Sequence, residues 1–139
     1  MKISREGDYA LRAVIHMAAK PEGVISTKDE VARAEDIPPK FLSKILQSLV
    51  RAGVVASKAG VGGGYRLARS PERISFLEVI EAIEGPLMLN LCCGHPGGCE
   101  RQGDCNQEWV WREARRALAD HFQRTTLAEA ARGGASGQR

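Results

Sequence analysis

Four cysteines fall between Cys92 and Cys105, and three of them, Cys93, Cys99 and Cys105, are set at even intervals of five intervening residues. Thiolates in such a pattern can hold a soft metal. Structural zinc usually takes paired ligands two to four residues apart, and this stretch has no such pair. The adjacent Cys92 and Cys93 point in diverging directions and serve poorly as one. Evenly spread thiolates among Gly94, Gly97, Gly98 and Gly103 can instead wrap a larger object, and an iron–sulfur cluster is normally held by thiolates. Zinc and plain redox-active thiols remain open on spacing alone. A catalytic cysteine is the weakest reading, because His16, His95 and His121 are the available bases and nothing in the sequence sets one beside a thiol. The expectation is a protein that is not an enzyme.

A second chemistry lies earlier in the chain. The formal net charge is only +3, yet residues 37–69 hold Lys40, Lys44, Arg51, Lys58, Arg66 and Arg69 and no acid. Residues 1–70 carry 12 basic and 7 acidic side chains, whereas residues 71–139 carry 8 and 10. A one-signed segment is the footprint of a polyanion partner. The stretch Gly60-Val61-Gly62-Gly63-Gly64 lacks the Gly-Lys-Ser/Thr ending of a phosphate loop and leads into no helix, so it is not read as one.

The elements that position these residues follow from periodicity. A first helix is expected over 5–19, with Leu11, Val14, Ile15 and Ala18 at helical spacing and Ser4 as cap. A second opens at Ser26, with Asp29 three residues on, and ends near Ala34. Asp36-Ile37-Pro38-Pro39 is a turn into a third, since proline is tolerated in a first helical turn. There Leu42, Ile45, Leu46, Leu49 and Val50 form one apolar stripe, which Gly53 ends. Strands over Val54–Lys58 and Tyr65–Ala68 flank the glycines as a hairpin. A further helix covers 75–84. Residues 85–105 show no periodicity, and an unstructured loop of that length is usually functional. A long helix then runs from Gln107 to about Thr125, with Trp111, Ala114, Leu118 and His121/Phe122 on one side, followed by a stub over Thr126–Ala131.

Two short helices, a tight turn and a glycine-tipped hairpin are the order of a winged helix-turn-helix, so the fold expected is mainly α with a two-stranded wing. The buried stripe of the third helix turns Lys40, Ser43, Lys44, Gln47 and Arg51 outward, where a helix in the major groove reaches phosphates and base edges. Ser43 and Gln47 are the expected base readers, and Lys40, Lys44 and Arg51 phosphate contacts. Lys58 and Arg66 flank the hairpin tip, and Lys28 is placed to hold the DNA backbone. The partition is a DNA-binding domain over 1–84, a cysteine loop over 85–105, a helix and stub over 106–131 and a disordered tail over 132–139. No run nears the roughly 18–20 apolar residues of a membrane span, and the N-terminus shows no signal-peptide pattern. The cysteines are therefore expected in a reducing cytoplasm.

With these motifs in hand, the chain resembles the IscR/NsrR family of bacterial iron–sulfur transcription regulators. The resemblance lies in Lys2-Ile3-Ser4 through Asp8-Tyr9-Ala10-Leu11-Arg12-Ala13, in Ile37-Pro38-Pro39-Lys40-Phe41-Leu42, in the wing Gly62-Gly63-Gly64-Tyr65-Arg66-Leu67 and in the cysteine loop. It covers about residues 1–130. It implies a homodimer on palindromic double-stranded DNA, with the long C-terminal helix as the dimerisation element and no membrane partner. It also implies a 2Fe–2S or 4Fe–4S cluster on Cys93, Cys99 and Cys105. Where IscR-like members carry a fourth, histidine ligand three residues past the last cysteine, this chain has Glu108. Asp8 matches the aspartate that some NsrR-like members donate from the other subunit. Cys92 and His95 complete the candidates, with Asp8 ranked first, then Glu108 and Cys92. The function implied is a repressor that senses nitric oxide, redox or iron–sulfur status. The competing class is a zinc-stabilised or cluster-free winged helix-turn-helix interaction protein.

Overall fold

A computed structural model describes residues 2–94 and 96–133. His95 and the tail beyond Gly133 lie outside the described residues. Helix α1 spans Arg5–Ala18, and the Ser4 hydroxyl accepts from the amide of Gly7 at 3.0 Å. Helix α2 spans Lys28–Ala34. Its cap is Thr27, whose hydroxyl accepts from the Glu30 amide, rather than the expected Ser26. The reason is tertiary. Ser26 exchanges backbone hydrogen bonds with Tyr65 at 2.8 Å in both directions, which holds it in extended backbone beside the hairpin.

The turn after α2 puts Asp36 at φ +55°, a left-handed conformation that Asp tolerates better than most residues. Ile37 tucks under it, 3% exposed, and α3 then runs Pro39–Arg51. Leu42, Leu46 and Leu49 are fully buried and Ile45 nearly so. The sequence stripe is one residue too wide, however, because Val50 is 36% exposed. It lies at the edge of the buried face and lines a groove with Gln47, Arg51, Ser57 and Tyr65.

Strands β1 (Val55–Lys58) and β2 (Gly64–Leu67) form an antiparallel pair in which Val55 faces Leu67 and Ser57 faces Tyr65. The Val54 amide bonds the Leu49 carbonyl at 3.0 Å, which seats the hairpin on the last turn of α3. After a short 3-10 turn over Pro71–Arg73, helix α4 spans Phe76–Glu84. Ser75 and Glu78 close a reciprocal capping box at its start, which satisfies two otherwise unpaired backbone amides.

The cysteine segment contains one more 3-10 turn, Leu91–Cys93, and then α5 spans Glu108–Arg124. None of its 17 residues is buried. Trp111, Leu118 and Phe122 are half-buried on the side facing the body, whereas Ala114 and His121, expected on that side, are exposed. Helix α6 (Leu127–Ala131) returns to the body. Leu127 is fully buried in the core formed by α1, α3 and α4, and the backbone there is stitched by Phe76 N–H to Thr125 O and Leu127 N–H to Ile74 O.

The burial pattern sets two stability expectations. Leu46→Ala should cost about 2–5 kcal/mol, as large-to-small changes in packed cores do. Val50→Ala, on the same helix, should stay within about 0.5 kcal/mol. Chemical denaturation of both variants checks the pair. Equal losses would mean that Val50 belongs to the core.

Candidate nucleic-acid interface and candidate metal centre

The outward face of α3 carries Lys40, Lys44, Gln47 and Arg51, all exposed. Among the described residues Lys40, Lys44 and Arg51 form no ion pair, although Lys44 lines a cleft with Glu6 and Glu84. Ser43 is less free than its position implied. Its hydroxyl accepts from the Lys28 ammonium at 2.9 Å and donates to the Pro39 carbonyl at 3.2 Å. Lys28 and Ser43 therefore form a bridge from α2 to α3, with the ammonium half-buried beside the recognition face. Lys58 and Arg66 are exposed on the hairpin. Strand alternation puts both on the face opposite Ser57 and Tyr65, and Arg66 lines a cleft with Met17, Lys20 and Val24. The basic residues thus lie on two sides of the wing rather than on one surface.

An ionic cluster fixes α2 against α1. His16 stands with its two ring nitrogens 3.1 Å from carboxylate oxygens of Glu30 and Glu35. Lys20 also pairs with Glu30, and Arg12 donates to the Glu35 carbonyl at 3.3 Å. Bonds from Lys20, then from His16, hold the Glu30 carboxyl below its ordinary range. His16 therefore has a structural task and is not a base for a thiol. His121 packs against the Phe122 ring.

The cysteine loop is fastened at both ends to α5. Arg115 donates to the Leu87 carbonyl at 2.6 Å, with Leu87 itself buried. Near the other end, the Glu108 carboxylate accepts from the Gly103 amide at 2.6 Å and from Arg112 at 2.8 Å. The Gly103 bond, then the Arg112 bond, keeps the Glu108 carboxyl below its ordinary range. All four cysteines are free thiols. Cys92 is buried, and burial pushes its thiol up, with a further contribution from Cys93. Cys93, Cys99 and Cys105 are partly exposed. Among the described residues, no three His, Cys, Asp or Glu side chains are gathered at a separation that would hold a metal ion. Asp8 is paired with Arg12 at 2.7 Å on α1 and is about half exposed. Sequence reasoning missed the Glu108–Gly103 and Arg115–Leu87 fastenings. Neither has a sequence signal, because each joins a side chain to a backbone group.

The family model described as Rrf2, an iron-dependent transcriptional regulator, matches residues 3–133. The chain belongs to the Rrf2 family. A Mycobacterium tuberculosis chain that carries a provisional name as an HTH-type transcriptional regulator is 35% identical over 138 residues, 96% of this chain and 83% of that one. The HTH-type transcriptional regulator IscR of Vibrio vulnificus is 30% identical over 93% of this chain and 76% of its own. Among solved structures, CymR, the global cysteine regulator of B. subtilis, superposes with a TM-score of 0.79 at 27% identity, over 94% of this chain and 96% of CymR. As an Rrf2 protein the chain is a winged helix-turn-helix transcription regulator that binds DNA, and its relatives are regulators rather than enzymes. No helix among the described residues is long and apolar enough to cross a membrane.

The exposed side chains of α3 yield a prediction for the Rrf2 chain. Lys44→Ala or Arg51→Ala should weaken binding to all DNA sequences and shallow the salt dependence by about one unit of log–log slope. Gln47→Ala should change base preference at one position while leaving that slope unaltered. Fluorescence anisotropy across a salt series checks both, and loss confined to one sequence in the Arg51 variant would reverse its assignment as a phosphate contact.

Proposed function

We propose that this Rrf2 chain is a homodimeric, cytoplasmic repressor of palindromic operators that senses nitric oxide, redox or iron–sulfur status through a 2Fe–2S or 4Fe–4S cluster. The observation that carries the reading is the loop itself. Three partly exposed free thiols, Cys93, Cys99 and Cys105, sit at even spacing on a segment whose two ends are fastened to α5. That donor set fits a cluster, since thiolates are its usual protein ligands. Gly97 and Gly103, at φ +83° and +89°, supply left-handed turns between the thiols.

For the fourth ligand, hydrogen bonding and burial support the order Asp8, Glu108, Cys92. Asp8 needs to release only an exposed i, i+4 partner, a contact worth little in water. Glu108 must give up two bonds that hold the loop, and Cys92 is packed inside. In this reading Asp8 is donated by the second subunit. The outward face of α5, where Trp109 and Val110 are exposed, supports a dimer, because such side chains gain by burial against a second copy. DNA contacts in this reading come from Lys28, Lys40, Ser43, Lys44, Gln47, Arg51, Lys58 and Arg66, within a DNA-binding unit over 1–84. The loop spans 85–105 and the dimerisation helix and stub 106–131.

When bound, a cluster supplies a centre that reacts with nitric oxide and oxygen, and a carboxylate ligand is harder and more labile on it than a thiolate. The protein's part is transmission. Arg115 ties the start of the loop to the middle of α5. Phe122 of α5 packs at a tilt against Phe76 of α4, with ring centroids 5.5 Å apart, and Val79 and Ile80 of α4 share the core that seats α3. A shift of the loop therefore has a packed route to the recognition helix. A cluster-free regulator using the same thiols is the second reading, favoured by the ungathered cysteines and by the likeness to CymR.

Anaerobic purification followed by iron and acid-labile sulfide analysis separates the two. Comparable amounts of both are expected. Cys93→Ser, Cys99→Ser and Cys105→Ser should each remove them, Asp8→Ala should hasten their loss, and Cys92→Ala should retain them. Zinc without sulfide, or protein free of both, contradicts the cluster.

A further inference from the structure

Helices α1, α3 and α4 meet at a cleft of about 590 Å³, a size within the range of about 300–1,000 Å³ that small-molecule sites occupy. Its apolar side is supplied by Phe41, Ile45 and Ile83. Ile45 belongs to the core and Ile83 is packed against it, whereas the Phe41 ring is 40% exposed.

The polar side holds three groups without partners. Lys44 and Ser48 stand one turn apart on α3, and Glu6 lies in the first turn of α1. Among the described residues, neither Lys44 nor Glu6 forms an ion pair, although both line this cleft. The Ser48 hydroxyl makes no hydrogen bond among the described residues. Ser43, the other α3 serine singled out above as a base reader, is fully engaged by contrast. Glu84, at the end of α4, is already committed. Its carboxylate accepts from the Ser4 amide at 2.5 Å and lies over Gly7, where a Cβ would come within 2.9 Å of Oε1. Its charge still adds to that of Glu6.

An unpaired cation and an unpaired anion on the walls of one cleft suit a ligand that carries both charges. A carboxylate takes charge-assisted bonds from the Lys44 ammonium and the Ser48 hydroxyl. An ammonium donates to Glu6, with Glu84 beside it. An apolar substituent covers Phe41 and Ile83. A free α-amino acid carries these three groups on one carbon. A purely anionic ligand would meet two carboxylates, and a purely cationic one would meet Lys44.

We infer that the cleft binds a free α-amino acid with an apolar side chain, as a second input to DNA binding. Occupancy draws Lys44 onto the ligand carboxylate and so removes one phosphate contact from the outward face of α3. The site itself needs neither the cysteine loop nor DNA, and only its effect on affinity rests on DNA binding by α3.

Calorimetry on the anaerobically purified full-length protein tests the site, with L-leucine, L-phenylalanine, N-acetyl-L-leucine and L-leucinamide as probes at millimolar concentration. At least one of the two free amino acids should bind. The acetylated and amidated forms should bind about tenfold more weakly, since each lacks one charge-assisted bond. Glu6→Gln should weaken L-leucine about tenfold and leave N-acetyl-L-leucine unchanged, whereas Ser48→Ala should weaken both, each with an unaltered thermal melt. In a salt series, saturating L-leucine should shallow the log–log slope of DNA binding by about one unit, and should change nothing in Lys44→Ala. Capped forms that bind as tightly as L-leucine, Glu6→Gln that binds it normally, or no heat from either free amino acid overturns the site. Heat of binding with an unaltered DNA slope overturns the second input. DNA binding absent under all conditions would refute the reading of α3, while the calorimetry still decides the site.

Discussion

The partition of α3 into two faces is the constraint on which the rest depends. Leu42, Leu46 and Leu49 are fully buried and Ile45 nearly so, and burying each such side chain is worth roughly 1.5–3 kcal/mol. A rotation that exposed Leu46 would therefore cost more than any surface contact could return. Lys44, Gln47 and Arg51 point outward as a consequence of that packing. The turn at Asp36, the Thr27 cap of α2 and the Lys28–Ser43 bridge set the angle at which the face is offered. The wing inherits its place from the same helix through the Leu49 carbonyl.

The C-terminal half obeys a different balance. A 17-residue helix without one buried residue gains little from its own chain, and helices draw most of their stability from a packed apolar face. It is held at discrete points instead, by Arg115 to Leu87, by Phe122 against Phe76, and by Leu127 of α6, which returns the chain to the core. Such an arrangement ties the start of the cysteine loop both to α5, through Arg115, and to α4, through the bond from the Leu87 amide to the Glu81 carboxylate.

Legibility in the sequence followed the range of the interaction. The α3 stripe, the Ser4 cap and the glycine hairpin are local patterns, and periodicity or a single turn residue reveals them. Thr27 and Ser26 are both capable caps, and only the backbone pairing of Ser26 with Tyr65 decides between them. Val50 sits at the margin of the stripe, where helical spacing cannot say which side of the boundary it falls on. The Ser75–Glu78 capping box is a local pattern of the same kind, two side chains three residues apart. For the cysteines, even spacing is legible, but their separation in space is not, because the fold of the loop sets it and no periodicity reports it.

The central claim is that the state of the cysteine loop governs DNA binding by α3. It is tested most directly by adding nitric oxide stepwise to anaerobically purified protein while recording visible absorption and operator anisotropy on one sample. Affinity should change about tenfold or more in step with the loss of the visible chromophore. Affinity that stays constant through complete loss of the chromophore would contradict it.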